Sequence, residues 1–339
     1  MDRSPLGVAV VGAGYWGPNL VRNFHASDAW TVRYVVERDD ARRAHLLRLY
    51  PSIAGCADIA EVLADPAVDA VALATPPRTH HELAIRAIAA GKHVLVEKPL
   101  AERSSDAVDI CERASRAGVV LMTDHTFLYT GSVEKLRALR ESGELGKVYY
   151  IDSVRANLGL FQESNVVWDL APHDVSILNY VLGETPSAVA LQLGSCVHAK
   201  TPDVAFLTMW YDGGTLAHVH LSWLSPVKVR RTTIAGSLKM AVWDDVEPTE
   251  KIYIYDKGVV LDPSSTTLQQ QMVSYRLGDL HVPLVDNREA LGKLVNDFAN
   301  AILGGGATRC DGPFGTDVVR VIESALRSAE LDGAKVPVA

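Results

Sequence analysis

The chain has 339 residues, of which 33 are Lys or Arg and 41 Asp or Glu, for a net charge of −8. That length exceeds one ordinary core and predicts two domains, and 48% hydrophobic with 22% charged residues is the profile of a globular protein. The basic pairs Arg42-Arg43 and Arg230-Arg231 stand isolated, which excludes the basic stripe that nucleic acid or anionic lipid requires.

No apolar run approaches membrane-spanning length. The start, MDRSPLG, leads straight into an apolar run and leaves no room for a signal peptide. Cys56, Cys111, Cys196 and Cys310 are scattered without a C-x-x-C pair, so neither a disulfide framework nor a metal site is expected. The expectation is a cytoplasmic protein with no membrane and no nucleic-acid partner.

In chain order, strands are predicted over 7–11, 31–36, 69–74, 93–96 and 119–123, with helices over 17–26, 40–49, 58–64, 80–90 and 104–117 between them. Gly91 and Gly118 stop two of those helices, and Asp65-Pro66 marks a turn. VDAVALA and KHVLVE are almost wholly apolar, as strands buried on both faces are. After His125 the pattern changes. A helix over 132–141 precedes strands over 147–157, 187–197, 204–211, 214–224, 228–236, 239–243 and 251–256, with Asp212-Gly213-Gly214 as a hairpin turn. Further helices are predicted over 171–182, 288–303 and 314–331, while 257–285 reads ambiguously.

The first strand runs into Gly12-Ala-Gly14-Tyr15-Trp16-Gly17 and then a helical pattern, the setting a G-x-G-x-x-G turn needs. Gly12 permits the tight turn, Gly14 lets backbone approach a pyrophosphate, and Gly17 lets helix pack on strand. Tyr15 and Trp16 lie within this cofactor-binding turn. Glu37 ends the second strand, 20 residues after Gly17, where an acid accepts ribose hydroxyls and repels a 2′-phosphate. NAD is therefore the expected cofactor, although Arg38 beside the acid leaves NADP open. The fold class expected is α/β: an N-terminal Rossmann parallel sheet over 1–125, followed by an α+β domain over 126–339 on an open, largely antiparallel sheet.

Three further motifs carry chemistry. Thr75-Pro76-Pro77 with His80 makes a stiff strand-end loop that either lines a dinucleotide or is only a turn. Glu97-Lys98-Pro99 ends the fourth strand, aiming Lys98 at the cofactor crevice; the alternative is a surface lysine. In WDLAPHDVSILNYVLG, Asp169 reads as an N-cap with Pro172 in the first turn, and His173 lies four residues on, on the same face. A helix N-terminus keeps such a histidine neutral and able to accept a proton. Pure capping for Asp169, a core histidine for His173 and a solvated acid for Asp174 are the competing readings.

VGAGYWG, the strand-end acid, ATPPRTH, GKHVLVEKPL and WDLAPHD, in this order, resemble the glucose–fructose oxidoreductase/inositol dehydrogenase/rhizopine catabolism (Gfo/Idh/MocA) family over residues 7 to about 183. The resemblance implies hydride transfer between NAD(P) and a hydroxyl carbon of a sugar or cyclitol. Its lysine falls on Lys98, its aspartate on Asp169 and its histidine on His173, with Ala171 and Pro172 departing from the D-x-G-x-H form. HTFLY (125–129) and RANLGLFQESNVVWDLAPHD (155–174) resemble the subgroup of nucleotide-sugar and amino-sugar pathways, several of whose members oxidise carbon 3 of a sugar nucleotide.

The expected function is thus a dehydrogenase of a sugar, or of a sugar nucleotide or amino sugar. His173 acts as base, Lys98 stabilises the alkoxide, and Asp169 positions. Tyr129, Arg155, Asn157 and Trp168 are candidate substrate ligands; Thr75, Pro76, His80, Glu97 and Lys98 are candidates to line the cofactor. The alternatives are a cyclitol dehydrogenase and a glycosidase using NAD transiently, with a non-catalytic regulator ranked last. Alternation in 204–224 (Phe206, Thr208, Trp210; Leu216, His218, His220) predicts a homodimer or homotetramer through a sheet face that leaves Trp210 or Trp223 exposed in a monomer.

Overall fold

The computed structural model describes residues 4–159, 165–261 and 273–339. Its contacts divide the chain into two units, residues 1–129 with 288–320 and residues 130–287 with 321–339.

The first unit begins with β1 (Leu6–Val11), α1 (Gly17–His25), β2 (Trp30–Val36), α2 (Asp40–Leu49), β3 (Ala54–Cys56) and α3 (Ile59–Leu63). It continues with β4 (Ala70–Leu73), α4 (His80–Ala89), β5 (His93–Glu97), α5 (Ser104–Ala117) and β6 (Leu121–Asp124). The strands form one parallel sheet in the order β3-β2-β1-β4-β5-β6. Every residue of β4 and most of β1 and β5 are buried, which is why those segments read as unbroken apolar runs. Asp39 and Asp58 cap α2 and α3 by accepting backbone N–H groups, and Gly118 ends α5 in the left-handed region at φ 67°. The strand order reverses between β1 and β4, opening a crevice at the carboxyl ends of those strands.

The second unit holds α6 (Gly131–Glu141), β7 (Val148–Leu158), α7 (Val166–Leu182), β8 (Ala188–Gly194), β9 (Val204–Trp210) and β10 (Leu216–Ser222). It goes on to β11 (Leu224–Gly236), β12 (Met240–Asp244), β13 (Ile252–Leu261) and β14 (Val273–His281). The ambiguous stretch 257–285 thus contains the end of β13 and all of β14; its residues 262–272, like residues 160–164 of the subgroup motif, lie outside the described residues.

The chain then forms α8 (Ala290–Gly304), α9 (Gly312–Glu330) and the short β15 (Val336–Pro337). The second sheet runs β14-β13-β12-β11-β7-β10-β9-β8-β15, antiparallel except where β10 lies parallel to β7. The predicted Asp212-Gly213-Gly214 hairpin joins β9 to β10, with Gly214 at φ 84°.

Residues 288–320 depart from the expected boundary, because they belong to the first unit. The physical reason is a set of aromatic and charged contacts. The Trp30 indole donates to the Val295 carbonyl at 2.8 Å and stacks on Phe298 at 5.4 Å, while Arg22 grips both oxygens of Glu289 at 2.6 and 2.7 Å. Arg22 holds the Glu289 carboxyl down at about 2.

Candidate active site

The glycine-rich turn has the clearances its chemistry needs. A Cβ on Gly17 would lie 2.0 Å from the Gly12 carbonyl oxygen, so only glycine lets α1 pack this close. A Cβ on Gly12, at φ 97°, would lie 2.6 Å from the Ala74 oxygen. At Gly14 the same atom would meet nothing within 4 Å, leaving open space for a ligand's phosphates. No side chain caps the α1 N-terminus at Trp16. Glu37 follows β2, and its Oε2 accepts the Ala13 N–H at 2.7 Å while Oε1 accepts the Asp39 N–H at 3.0 Å. The acid is thereby fixed against the turn, with Arg38 exposed beside it. These groups fit a dinucleotide.

Toward the other edge of the sheet, Lys98 follows β5, and its backbone N–H donates to Glu97 Oε2 at 2.7 Å. Glu97 is the register partner of Asp124 at the end of β6. Burial, and then the negative charge of Asp124, push the Glu97 carboxyl well above its ordinary range, with Lys98 opposing. Burial also raises Asp124, against the hydrogen bonds it accepts from Thr126 and Trp16. Thr75 and Pro76 follow β4, with the Thr79 hydroxyl donating to Thr75 Oγ1 at 2.8 Å.

His80 is fully buried, its ring nitrogens 2.8 Å from the carbonyl oxygens of Pro99 and Thr75. It ties the loop after β4 to the loop after β5, and both ring nitrogens are taken up in doing so. The expectation that it lines the cofactor is corrected on that ground. Tyr15 is 92% exposed, while Trp16 is partly buried with its indole on Asp124.

On α7 the sequence reading needs four corrections. The N-cap is Asn165, whose side chain accepts from Val167 and Trp168, so Asp169 lies inside the helix and Pro172 sits in its interior rather than in the first turn. His173 is then too far from the N-terminus for the helix dipole to act on it, because that effect fades within one turn. Asp169 and His173 keep their i,i+4 relation on one face, and Asp169 Oδ2 accepts the indole N–H of Trp223 at 3.0 Å. Trp223 is 1% exposed rather than surface-lying. Asp174 is no solvated acid; it is buried and paired with buried Arg155.

That pairing removes Arg155 from the candidate substrate ligands, since Ser153 also donates to Asp174 at 2.9 Å and locks the network inside the sheet–helix layer. Tyr129 goes the same way. It is 1% exposed, and its hydroxyl donates to Asp297 at 2.6 Å beneath the Arg309 guanidinium, 4.8 Å from the ring centre. Asn157 and Trp168 stay partly exposed, on β7 and α7.

Sequence reasoning missed Asp124 and Trp223. The first had a signal, a polar residue closing an apolar strand at a sheet's carboxyl edge. The second had none, because an indole that serves a carboxylate 54 residues away leaves no local pattern. Among the described residues no cluster of three His, Cys, Asp or Glu side chains could hold a metal, and no helix is long and apolar enough to cross a membrane.

A parallel sheet in this strand order, with a glycine turn, a ribose-side acid and a strand-end lysine, defines a dinucleotide-binding unit of the oxidoreductase class. Family models agree: "oxidoreductase family, NAD-binding Rossmann fold" matches residues 6–125, and the "GFO/IDH/MocA C-terminal domain" matches residues 133–242. The chain belongs to the Gfo/Idh/MocA oxidoreductase family.

Among its relatives, UDP-N-acetylglucosamine 3-dehydrogenase of Acidithiobacillus ferrooxidans is 27% identical over 330 residues, 94% of each chain. Inositol 2-dehydrogenase of Mycolicibacterium gilvum is 32% identical over 193 residues, 55% of each. Several curated relatives are matched over only 55–62% of their own length. The crystal structure of GenD2 from gentamicin A biosynthesis in complex with NAD superposes with a TM-score of 0.83 at 24% identity, covering 100% of this chain and 98% of that one, and so shares the fold.

Proposed function

We propose that the protein is an NAD-dependent dehydrogenase acting on a secondary alcohol of a sugar carried on a nucleotide, with carbon 3 as the reacting position. The observation that carries this reading is the end-to-end match to the UDP-N-acetylglucosamine 3-dehydrogenase, and the EKP and WDLAPHD motifs supply Lys98, Asp169 and His173 for the roles that follow. Bound NAD supplies a hydride acceptor at nicotinamide C4. Gly12, Gly14, Gly17 and Glu37 hold the dinucleotide, and Glu37 favours NAD by repelling a 2′-phosphate. His173 accepts the hydroxyl proton as the carbon is oxidised, and Lys98 donates a hydrogen bond to the same oxygen. Asp169, held by Trp223, orients the histidine or the sugar; Asn157 and Trp168 are the remaining candidate sugar contacts. The setting is the cytoplasm, where nicotinamide cofactors and reduced thiols occur together.

A cyclitol dehydrogenase is the second reading, favoured by the similarity to inositol 2-dehydrogenase. Assembly is proposed as a dimer or tetramer of this chain through the second sheet, where Tyr150, Phe206 and Leu216 are 47%, 43% and 42% exposed.

The test is NADH absorbance with UDP-sugars, free sugars and inositols. Oxidation of a UDP-sugar is expected, with Lys98→Met and His173→Asn each lowering kcat about a hundredfold or more while melting temperature and NADH affinity hold. Turnover of inositol alone would select the second reading. Activity in His173→Asn that tracks only the amount of folded protein would remove the histidine from the mechanism.

A further inference from the structure

The glycine-rich turn reaches across the sheet. Trp16 is the residue that opens α1, next to β1, yet its indole N–H donates to Asp124 Oδ2 at 2.9 Å, and Asp124 ends β6. In the strand order, β4 and β5 lie between β1 and β6. Three inter-strand steps amount to about 14 Å, so the turn and the indole together pass over the carboxyl ends of β4 and β5. Those are the strand ends that carry Thr75, Glu97 and Lys98. The dinucleotide crevice of such a sheet lies outside these same ends. Glu37 marks the adenosine side at β2, which leaves the β4-to-β6 side for the nicotinamide half.

Asp124 is built to hold the indole in place. It is 2% exposed, and its second oxygen accepts the Thr126 hydroxyl. An acceptor that is buried and fixed at its other oxygen gives Trp16 one orientation rather than several. An indole held in a single orientation offers a flat surface on which a planar ring can rest.

We propose that Asp124 is a positioning residue for the cofactor: through Trp16 it holds an aromatic platform across the carboxyl ends of β4 and β5, and that platform seats the nicotinamide half of the dinucleotide. This rests on the dinucleotide reading of the first unit and deepens it, because it assigns Trp16 and Asp124 to the nicotinamide end rather than to the pyrophosphate. Asp124 acts through Trp16 and touches no reacting atom.

Isothermal titration calorimetry with NADH and with ADP-ribose, which lacks the nicotinamide, separates this role from mere support of the turn. Trp16→Phe removes the N–H and keeps a ring; Asp124→Ala removes the acceptor; Asp124→Asn keeps an acceptor oxygen. The loss of one buried hydrogen bond predicts NADH binding weaker by about tenfold in Trp16→Phe and Asp124→Ala. ADP-ribose binding should be unchanged in both, and Asp124→Asn should bind both ligands like the wild type.

Equal losses for the two ligands would overturn the proposal, since the bond would then serve only the fold of the turn. NADH affinity unchanged in Trp16→Phe would also overturn it, as would a loss in Asp124→Asn equal to that in Asp124→Ala. If Asp124→Ala does not fold, Trp16→Phe and Asp124→Asn carry the test. A wild-type protein that binds neither ligand would refute the dinucleotide reading itself and this role with it.

Discussion

Arg155 offers the sharpest contrast between a ligand-binding and a structural role. Its side chain and that of Asp174 are 5% and 4% exposed. Arg155→Met leaves the carboxylate buried without its cation, and breaking a buried pair in this way costs about 3–5 kcal/mol. The second unit holds 177 residues, 158 in 130–287 and 19 in 321–339. At that size each kcal/mol is worth roughly 2–4 °C, so the melting temperature should fall by about 10 °C. Arg155→Met combined with Asp174→Asn removes both charges at nearly constant volume and leaves Ser153 its acceptor, and should regain most of the loss. Differential scanning calorimetry of the two variants measures this directly. The reasoning fails if Arg155→Met melts within about 2 °C of wild type while KM for the oxidised substrate rises; the arginine would then be a ligand held in reserve rather than a structural ion.

The glycine turn gives a matched pair of variants. Gly17→Ala drives a Cβ against the Gly12 carbonyl and should destabilise the first unit by several degrees, while Gly14→Ala should leave melting unchanged and weaken NADH binding about tenfold by filling space the phosphates need. Thermal shift and calorimetric titration on the same samples separate the two effects, and equal stability losses would contradict the clearances.

His125 is buried with its pKa pushed down to about 3, first by burial and then by the Lys98 charge. The unfolded chain therefore binds the proton first. Stability is complete above the ordinary histidine value of about 6.5 and drains away as pH falls toward 3, by up to about 1.4 kcal/mol per unit. His125→Phe should flatten urea-denaturation stability across that window, and an unaltered slope would be the negative result. Glu37→Ala should narrow the preference for NAD over NADP in binding titrations, and an unchanged ratio would take specificity away from this acid.

What the sequence displayed well was periodicity. The buried strands of the first unit carry long apolar runs, and the predicted positions of β1, β2, β4, β5 and β6 agree with the structure within two residues. β3 escaped notice because Ala-Gly-Cys offers neither length nor alternation, and it pairs at a sheet edge where two apolar faces are not required. The start of α7 was misplaced by five residues because Asp169 and Pro172 looked like a helix beginning, whereas Asn165 makes the cap. Arg155 and Tyr129 were misread for a more general reason. A polar side chain in a strand or loop looks like a ligand until its partner is known, and those partners, Asp174 and Asp297, lie 19 and 168 residues away. The glycine turn was legible because each of its constraints is local, whereas Trp16 to Asp124 spans 108 residues.

The discontinuous first unit also sets a schedule for the nascent chain. By the time β6 has been made, all six parallel strands are available, but the Trp30 indole has no acceptor for its N–H and no Phe298 to lie against. Arg22 and Asn23 likewise wait for Glu289. The ribosome must add about 165 further residues, the main body of the second unit among them, before α8 arrives to cover that side of the nucleotide fold. At about 5–20 residues per second this interval lasts on the order of ten to thirty seconds. During it an aromatic surface beside α1 lies open to water and to other chains. A protein assembled in this sequence depends, between its middle and its end, on whatever in the cell tends unfinished surfaces.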